Sequence, residues 1–551
     1  MEGNLTTLPV TEETIRKAEE TLLAYRAAKA PLEARLLENE QWYRLRHWST
    51  MRRNPGDPEP ASAWLLNCIA NKHADAMDNV PEPYVLPREE GDAPDAEALS
   101  AILPVVMELN EYEQVYSDVW WAKLKGGTGV TGVFWNPDGA DGLGDVDIRK
   151  VELLRLYWEP GVSRLQASRN VFHVESVPNE TLIDRWPFLK GRLNGSALTD
   201  SAPPASAQTG ERSVVVDWYY KRRCGGRTVV HYAKFVCGNL LYASENDERY
   251  RLRGYYDHGL YPFVFDTQFV EPDSPAGFGY IDVCKQPQMY IDRLNQVILK
   301  GALMAARPRF FIRSDGSINE QEYADWTRDF VHFQGGSSPQ ESIRQIDVRG
   351  PDAVLVRILE GKIEELKETS GNRDFSQGSA ASGVTAAGAI MALQDAGGKL
   401  SRDMLKSSYR AFTKVCELCV ELIRQFYDEP RCFRILGEAA SIRYIRYDNA
   451  RIRPRVEDGL YRKPAFDIKI RPQRSAPMVM SARNEMAREF YKMGFFDPAN
   501  AEQALGCLEM MEFEGKPQMI ELLRRRRGAL VPAAENKGLT LRAGSDAAGM
   551  V

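Results

Sequence analysis

The residue group closest to a phosphate-binding motif is the glycine-rich run KGGTG at residues 125–129. In a phosphate loop the last glycine is followed by Lys and then by Ser or Thr, because the ammonium group holds phosphate oxygens and the hydroxyl binds Mg²⁺. Val130 and Thr131 occupy those two positions here. The run therefore predicts a tight joint between a helix and a strand, with a nucleotide site as the less favoured interpretation.

Acidic residues in two places have types that suit calcium binding or acid–base catalysis. Asp266 and Asp273 flank proline-containing turns, but no neighbouring base, acid or oxyanion donor completes a catalytic set, so we assign them no catalytic role. A second group of aspartates, between residues 138 and 147, is spaced somewhat like a calcium loop but lacks its DxDxDG order and its closing Glu. A solvated hairpin loop is therefore the better interpretation. The members of this group are Asp138, Asp141, Asp145 and Asp147.

Cysteine and histidine residues do not form a recognisable metal site. Cys416 and Cys419 make one CxxC pair, but it lies within a predicted helix without a second pair or a nearby His. Helix packing is therefore favoured over zinc or redox chemistry. None of the six His residues lies in an HExxH motif or another paired spacing. We expect no metal, no cofactor and no active site, and hence a protein that is not an enzyme.

Charge is unevenly distributed along the 551 residues. The formal net charge is −6, which argues against a protein that coats nucleic acid, because such proteins carry a basic surplus. Residues 293–313 nevertheless carry +5 and residues 431–474 carry +7, so that the remainder carries −18. These basic residues have two possible roles: most are expected to pair with neighbouring acids, and some to face an anionic partner such as DNA.

The elements that would position these groups predict an α+β fold. Helices are expected at 11–48 (in two parts, the second starting at Pro31), 63–80 and 95–125. Strands are expected at 130–135, 146–151, 214–220 and 228–235, with an exposed loop at 193–212. No stretch approaches the roughly 18 apolar residues that cross a membrane. The widely spaced cysteines and the lack of a secretory signal lead us to expect a cytoplasmic setting.

The most informative region is 277–427. A long helix is predicted at 281–306, with Ile291, Leu294, Ile298, Ala302 and Ala305 on one apolar stripe. Asp292, Asn295, Gln296 and Lys300 lie off that stripe and form a polar face. This helix is followed by a compact segment of mixed strand and helix character at 309–349 and by a second helix at 351–369. A Gly/Ser/Ala loop and a long helix at 389–427 come next. A basic β-like segment at 432–474 precedes three predicted helices, at 481–493, 498–511 and 517–527.

This order of elements resembles the portal proteins of tailed bacteriophages. No single piece is very specific, but the order over residues 60–530 is. The pieces that carry the resemblance are GFGYID at 277–282, QPQ at 286–288, IDRLN at 291–295, the small residues at 302–308, SGNRD at 370–374, ASGVTAAGAI at 381–390 and GFFDPANA at 494–501.

The resemblance implies a portal-type subunit with long stem helices, a β-containing wing and clip, and a helical C-terminal crown. The implied division is the wing at 1–276, the first stem helix at 277–308, the clip at 309–350, the second stem helix at 351–370, the tunnel loop at 371–388, the wing helix with its β segment at 389–475, the crown at 476–530 and a flexible tail at 531–551.

The implied function is a ring, usually of twelve copies, at one capsid vertex of the virion, with the host cytoplasm as the place of assembly. This ring conducts DNA during packaging and ejection. Its implied partners are further copies of the chain, transiently bound double-stranded DNA, the large terminase, the major capsid and scaffolding proteins and tail adaptor proteins, with no membrane partner. A conduit needs few and weak phosphate contacts, because each contact adds affinity through counterion release. The net charge of −6 suits that role.

The resemblance also implies residues that face the DNA. In the tunnel loop they are Asn372, Arg373, Gln377, Ser379 and Ser382; in the channel or clip they are Lys300, Arg307, Arg309 and Arg313. The polar face of the first stem helix is expected to face the channel, and its apolar stripe the neighbouring subunits. Two alternatives remain open: a phage or prophage DNA-processing enzyme such as a nuclease, which would need a carboxylate–metal cluster, and a scaffolding or adaptor protein.

Overall fold

The structure is a computed structural model, and it describes most of the chain between residues 10 and 523. The described residues are 10–52, 54–193, 211–306, 309–312, 319, 321–322, 332, 343–346, 350, 352–371, 399–436, 442–457, 460–474, 488–495, 501–510, 519–520 and 523. The chain divides into two compact units, Met1–Gln473 and Arg474–Val551. No helix among the described residues is long and apolar enough to cross a membrane.

Helices and strands alternate irregularly through the first unit, as expected for an α+β fold. The helices of that unit are α1 (Glu12–Tyr43), α2 (Trp64–Met77), α3 (Ala93–Leu109), α4 (Tyr112–Gly126), α5 (Asn179–Arg185), α6 (Tyr280–Ala306), α7 (Ala353–Ser370) and α8 (Lys399–Phe426). In the second unit, α9 spans Ala501–Met510. The described part of the second unit has a hydrophobic cluster of its own, formed by Phe490, Ala504, Leu508 and Leu523.

The strands form one five-stranded sheet, one three-stranded sheet and four two-stranded ladders among the described residues. They are β1 (Asn79–Pro87), β2 (Thr128–Asn136), β3 (Asp145–Val151), β4 (Leu156–Trp158), β5 (Asn170–Pro178), β6 (Arg212–Cys224), β7 (Arg227–Val236), β8 (Asn239–Ala243), β9 (Phe263–Thr267), β10 (Arg309–Ile312), β11 (Ile343–Ile346), β12 (Arg431–Leu436), β13 (Ile442–Tyr447), β14 (Arg455–Glu457), β15 (Leu460–Arg462) and β16 (Phe466–Arg474). The larger sheets have the orders β4-β5-β6-β7-β8 and β3-β2-β9, and their pairings are antiparallel.

Helix α8 lies at the centre of the main core. It contacts β1, β2, β3 and β9, and it buries Phe412, Cys416, Cys419 and Ile423 completely or almost completely. Burial raises the pKa of both thiols, which therefore stay protonated. The prediction that this CxxC pair serves helix packing agrees with its position in the core.

Two buried charges anchor the five-stranded sheet and the helix that packs on it. Asp217 of β6 accepts a hydrogen bond from Lys234 Nζ at 2.8 Å and lies 3.6 Å from His173 Nδ1. Burial alone would raise the pKa of Asp217, but the Lys234 ammonium and the hydrogen bond with His173 outweigh it and hold the pKa well below its usual range. Lys29 of α1 donates to the carbonyl oxygens of Leu153 and Leu156 at 2.6 and 3.0 Å, and burial lowers its pKa to about 7.

The helices predicted at 281–306 and 351–369 are confirmed as α6 and α7, and the four predicted strands as parts of β2, β3, β6 and β7. The 389–427 helix is confirmed over its described part, α8. The glycine-rich run at 125–129 is a helix-to-strand joint, as predicted, and the four aspartates belong to or adjoin the β2–β3 hairpin. The 193–212 loop lies mostly outside the described residues.

Three sequence predictions are wrong. Helix α1 continues through Pro31 instead of starting again there. The predicted helix at 95–125 is two helices, because Glu111 adopts a left-handed backbone with φ of +48°, and the Asn110 side chain bonds to Val106 and to β3 instead of allowing a further turn. The helix predicted at 63–80 ends at Met77, and residues 79 and 80 belong instead to β1, together with the prolines that follow them.

Strand β1 tolerates its prolines because of the side on which they lie. Proline has no N–H to donate, so it fits a strand only where that side is unpaired. Pro81, Pro83 and Pro87 lie two or four residues from Val85, so their backbone groups point to the same edge of the strand as those of Val85. At Val85 this edge faces the Ser100 hydroxyl, which bonds to both its N–H and its C=O. The prolines therefore leave the β1–β16 ladder intact.

Candidate subunit interface on the long helices

Helix α6 begins at a close contact between two glycine-containing segments. A Cβ at Gly127 would overlap the backbone of Phe278, and a Cβ at Gly279 would lie 2.7 Å from the Gly127 nitrogen. The Gly277 N–H donates to Thr128 Oγ1 at 2.9 Å, and a Cβ at Gly277 would overlap the carbonyl oxygen of Phe269. The glycines therefore serve backbone packing between the 125–129 joint and the start of α6.

A buried polar cluster fixes α6 to the segment that precedes α2. Asp292 is fully buried, and its Oδ1 accepts hydrogen bonds from the Ser62 N–H at 3.0 Å, the Ser62 hydroxyl at 2.8 Å and Gln288 Nε2 at 3.0 Å. His47 Nδ1 lies 2.5 Å from Asp292 Oδ2, and its Nε2 lies 3.0 Å from the Trp42 carbonyl oxygen. Both ring nitrogens of His47 thus face acceptors, and both oxygens of the Asp292 carboxylate have polar partners.

The same segment continues along α6 through two more polar side chains. Gln296 Nε2 donates to the Pro58 carbonyl oxygen at 2.9 Å, and Lys300 Nζ lies 2.7 Å from Asp57 Oδ1. We call residues 54–62 the strap. The prediction that Asp292 belongs to a polar face of α6 directed at the channel is therefore wrong. Its carboxylate can be buried because four polar groups surround it and compensate for the loss of water. Gln296 and Lys300 also bind the strap, and Lys300 remains half exposed.

The apolar stripe of α6 packs partly within its own chain. Ile291 is fully buried with Leu366 of α7 and Cys68 of α2, and Leu359 and Ile363 pack against them. The prediction that this whole stripe faces neighbouring subunits is therefore wrong for Ile291. Helix α7 is fixed at both ends by caps: Asp352 accepts from the Val354 N–H at 3.1 Å, and Gly371 adopts φ of +68°.

Other apolar side chains of α6 and α7 are left about half exposed in the part of the chain that the structure describes. Seven large ones among the described residues are 41–59% exposed: Tyr290, Val297, Leu299, Leu303, Val354, Val356 and Ile358. At about 100° per residue, Tyr290 and Val297 share one side of α6, and Leu299 and Leu303 share another. Val297 and Leu299 are about 200° apart, so the two stripes lie on opposite sides of the helix. Sequence analysis missed both stripes, although each consists of apolar residues off the predicted stripe.

The connection between α6 and α7 is closed by β10 and β11, which pair in antiparallel register from Arg309 opposite Ile346 to Ile312 opposite Ile343. Arg309 is therefore placed on a strand at the end of α6. Arg307 and Arg313 lie outside the described residues, as do the tunnel-loop residues Asn372, Arg373, Gln377, Ser379 and Ser382. The structure thus places only Lys300 and the backbone of Arg309 among the predicted DNA-facing residues.

The basic segment at 431–474 largely binds its own chain. Arg431 donates to the Gly144 and Leu143 carbonyl oxygens, Arg451 pairs with Asp95, Arg462 with Asp92, and Lys463 with Glu421. On the exposed face of the β12–β13 ladder, Arg434 and Arg446 make no ion pair within the described residues. Pairing with neighbouring groups therefore accounts for several basic residues, and the DNA-facing alternative remains for these two.

Asp266 has a structural partner in the first unit. Its Oδ1 accepts from the fully buried Lys123 Nζ at 2.7 Å, and Lys123 also donates to Ser408 Oγ at 2.8 Å. This cluster joins α4, β9 and α8. Among the described residues, no group of three or more His, Cys, Asp or Glu side chains is arranged to hold a metal ion.

Comparison with known proteins identifies the family to which these elements belong. A model described as phage P22-like portal protein matches residues 73–260 and 261–540. No curated protein matches the chain. The family match covers most of the sequence, from the last turn of α2 through α9, and it confirms the resemblance that the order of elements suggested. The chain belongs to the P22-like phage portal protein family.

Proposed function

We propose that this protein is a portal subunit that assembles into a ring at one vertex of a phage capsid, with twelve copies as the number usual for portals. The ring conducts double-stranded DNA during packaging and ejection. It binds the large terminase during packaging and tail adaptor proteins afterwards, with the major capsid and scaffolding proteins around it. The family match supports the portal role, and the exposed surface of α6 supports ring assembly.

The observation that carries the ring is the pair of apolar stripes on opposite sides of α6. A two-fold dimer uses one surface patch on both partners, whereas a closed ring needs two different patches on each subunit. Tyr290 and Val297 supply one patch and Leu299 and Leu303 the other. A subunit placed between two neighbours would cover both stripes and remove exposed apolar area from water, which stabilises the assembly by about 25 cal/mol per Å².

Mixing two variants tests whether the contact joins two different surfaces. Val297→Asp and Leu299→Asp each disrupt one stripe, so each variant alone is expected to stay monomeric in analytical ultracentrifugation. A mixture of the two keeps one intact pair of surfaces and should form dimers but no rings. Arg293→Asp, at an exposed polar position of α6, is the matched control and should form annular particles in negative stain. Rings from either stripe variant, or a mixture that stays monomeric, would contradict the proposal.

The DNA contacts are proposed for the tunnel loop and for the basic residues near the end of α6. Deleting residues 372–383 should leave rings intact while reducing DNA packaging or retention, because Arg373 is the basic residue proposed to lie nearest the duplex. Full packaging by the deletion variant would reject that role. Lys300, Arg307, Arg309 and Arg313 are proposed as secondary contacts of the channel or clip.

The clip at 309–350 is proposed as the docking surface for terminase and adaptors. Charge-reversed clip variants that still form rings should lose terminase or adaptor in a pull-down. Retained binding by such variants would place the docking surface elsewhere.

A further inference from the structure

A groove with a volume of about 990 Å³ opens on the first unit between α8, β9 and β16. One face of α8 forms part of it, through Lys414, Leu418 and Glu421, which are spaced four and three residues apart. Phe466 and Ile468 of β16 line the groove from another direction. The groove is separate from the strap and from the exposed stripes of α6.

Strand β9 presents its edge to this groove. Phe263, Val264 and Phe265 all line it, although successive side chains of a strand point to opposite faces. A cavity that touches both faces of one strand must lie along its edge. Within the described residues β9 pairs with β2 alone, because the sheet order is β3-β2-β9. On its other edge, the N–H and C=O groups of Phe263 and Phe265 are therefore available to a further strand, whereas the Thr267 carbonyl oxygen accepts from Ser407 Oγ at 3.5 Å.

The surroundings of that edge are apolar and basic. Val270 and Leu260, which also line the groove, are 79% and 42% exposed. The lining holds five basic and two acidic side chains: Arg88, Arg164, Lys414, Arg424 and Lys463 against Glu417 and Glu421.

Three of the five basic side chains have carboxylate partners: Arg88 pairs with Asp467, and Arg424 and Lys463 pair with Glu421. Arg164 and Lys414 make no salt bridge within the described part of the chain. Both cations are therefore available to an acidic ligand, with Glu417 as a nearby carboxylate that interacts electrostatically with Lys414.

We propose that this groove binds an extended, acidic peptide segment of another protein, which adds to β9 as a further strand. Main-chain hydrogen bonds to a sheet edge supply affinity in such complexes, and pockets for alternate side chains supply specificity. The five residues of β9 span about 17 Å, which fits a peptide of similar length. Apolar side chains of the peptide contact Phe265 and Leu418, and its carboxylates pair with Arg164 and Lys414.

Three fluorescein-labelled peptides test the proposal by anisotropy on the purified full-length protein. The first alternates valine and glutamate over about the length of β9, the second has lysine in place of glutamate, and the third repeats the first with alternate backbone amides N-methylated. The glutamate peptide is expected to bind, the lysine peptide to bind about tenfold or more weakly, and the methylated peptide not to bind. Equal binding of the first two peptides, or no binding of the first, overturns the proposal.

Charge-reversed variants locate the site. The double variant Arg164→Glu and Lys414→Glu should reverse the preference, so that the lysine peptide binds more tightly than the glutamate peptide. Arg249→Glu is the matched control, because Arg249 is an exposed arginine outside the groove that pairs with Asp247 at 2.9 Å. An unchanged preference in the double variant, or a reversal by Arg249→Glu, contradicts the proposed groove.

Discussion

Replacing Asp292 by alanine should release the strap from α6. The change removes the acceptor for the Ser62 N–H, the Ser62 hydroxyl, Gln288 Nε2 and His47 Nδ1, all in a buried site. Ser62 of the strap makes two of these hydrogen bonds, and a hydrogen bond to a charged group contributes about 1.5–3 kcal/mol, so the attachment should weaken by about 3–6 kcal/mol. Every 1.4 kcal/mol corresponds to about a tenfold change in an equilibrium constant, so the strap should open roughly 100- to 20,000-fold more often.

Hydrogen exchange measured by mass spectrometry reports this opening directly, since amides of a locally opened segment exchange with solvent. Amides of residues 54–62 should exchange faster in Asp292→Ala by that factor, whereas amides of the β6–β7 ladder should not change. Asp292→Asn keeps one carbonyl acceptor and should give an intermediate increase.

Lys300→Ala is the matched control, because it breaks another α6–strap contact in a solvent-exposed position. A half-exposed ion pair contributes little, so exchange of the strap should accelerate less than about fivefold. Equal acceleration by Asp292→Ala and Lys300→Ala would refute the reasoning, because burial of Asp292 would then make no difference to the strength of the attachment.

Three further predictions concern stability, each measured by denaturation of the purified protein. Gly277→Ala should destabilise the protein by about 1–3 kcal/mol or more, because the added Cβ overlaps the backbone at Phe269. Gly361→Ala lies in open space on α7 and should stabilise the protein by up to about 1 kcal/mol. Stability changes of the same sign in both variants would contradict this assignment of the two glycines. The pKa of Asp217, the carboxylate partner of Lys234, is lowered in the folded protein, so near pH 4 the unfolded chain binds more protons than the folded one. The free energy of unfolding should therefore fall as the pH drops below about 4. Asp217→Asn should remove the part of this fall that Asp217 causes. Burial lowers the pKa of Lys29 to about 7, so the folded state binds fewer protons than the unfolded state between about pH 7 and 10; the contribution of this residue to stability should rise across that range in the wild-type protein and not in Lys29→Met.

Local signals predicted the long helices well. Helix α6 is marked by its apolar periodicity, and α7 lies between Asp352 and Gly371, whose capping roles depend on residues next to them in sequence. The strands β2, β3, β6 and β7 are rich in β-branched and aromatic residues between turn signals, and these were also found. Strands β5 and β9 were missed, although their sequences NVFHVESVP and FVFDT contain the same β-branched and aromatic residue types.

Helix boundaries that depend on distant contacts could not be predicted. Glu111 carries no sequence signal for a left-handed backbone, and the break between α3 and α4 depends on the bonds that Asn110 makes with Val146 and Ile148 of β3. Pro31 is a usual start signal, yet packing of α1 against α4, α6 and β4 keeps the helix continuous. In both cases tertiary contacts outweighed a local preference.

The sequence by itself determined the α+β class, the order of the long helices around residues 277–427 and, through that order, the portal family. Periodicity and family resemblance both reside in the linear chain, so no folded structure is needed to recognise them. Only the tertiary structure decided which polar and apolar residues of α6 face the chain's own core. Asp292 and Ile291 are adjacent in sequence and equally buried, one against the strap and the other against α7, whereas Val297 and Leu299 are left exposed on opposite sides. The physical reason is that periodicity fixes the side of a helix on which a residue lies, but the neighbours that fold against each side determine what that residue contacts.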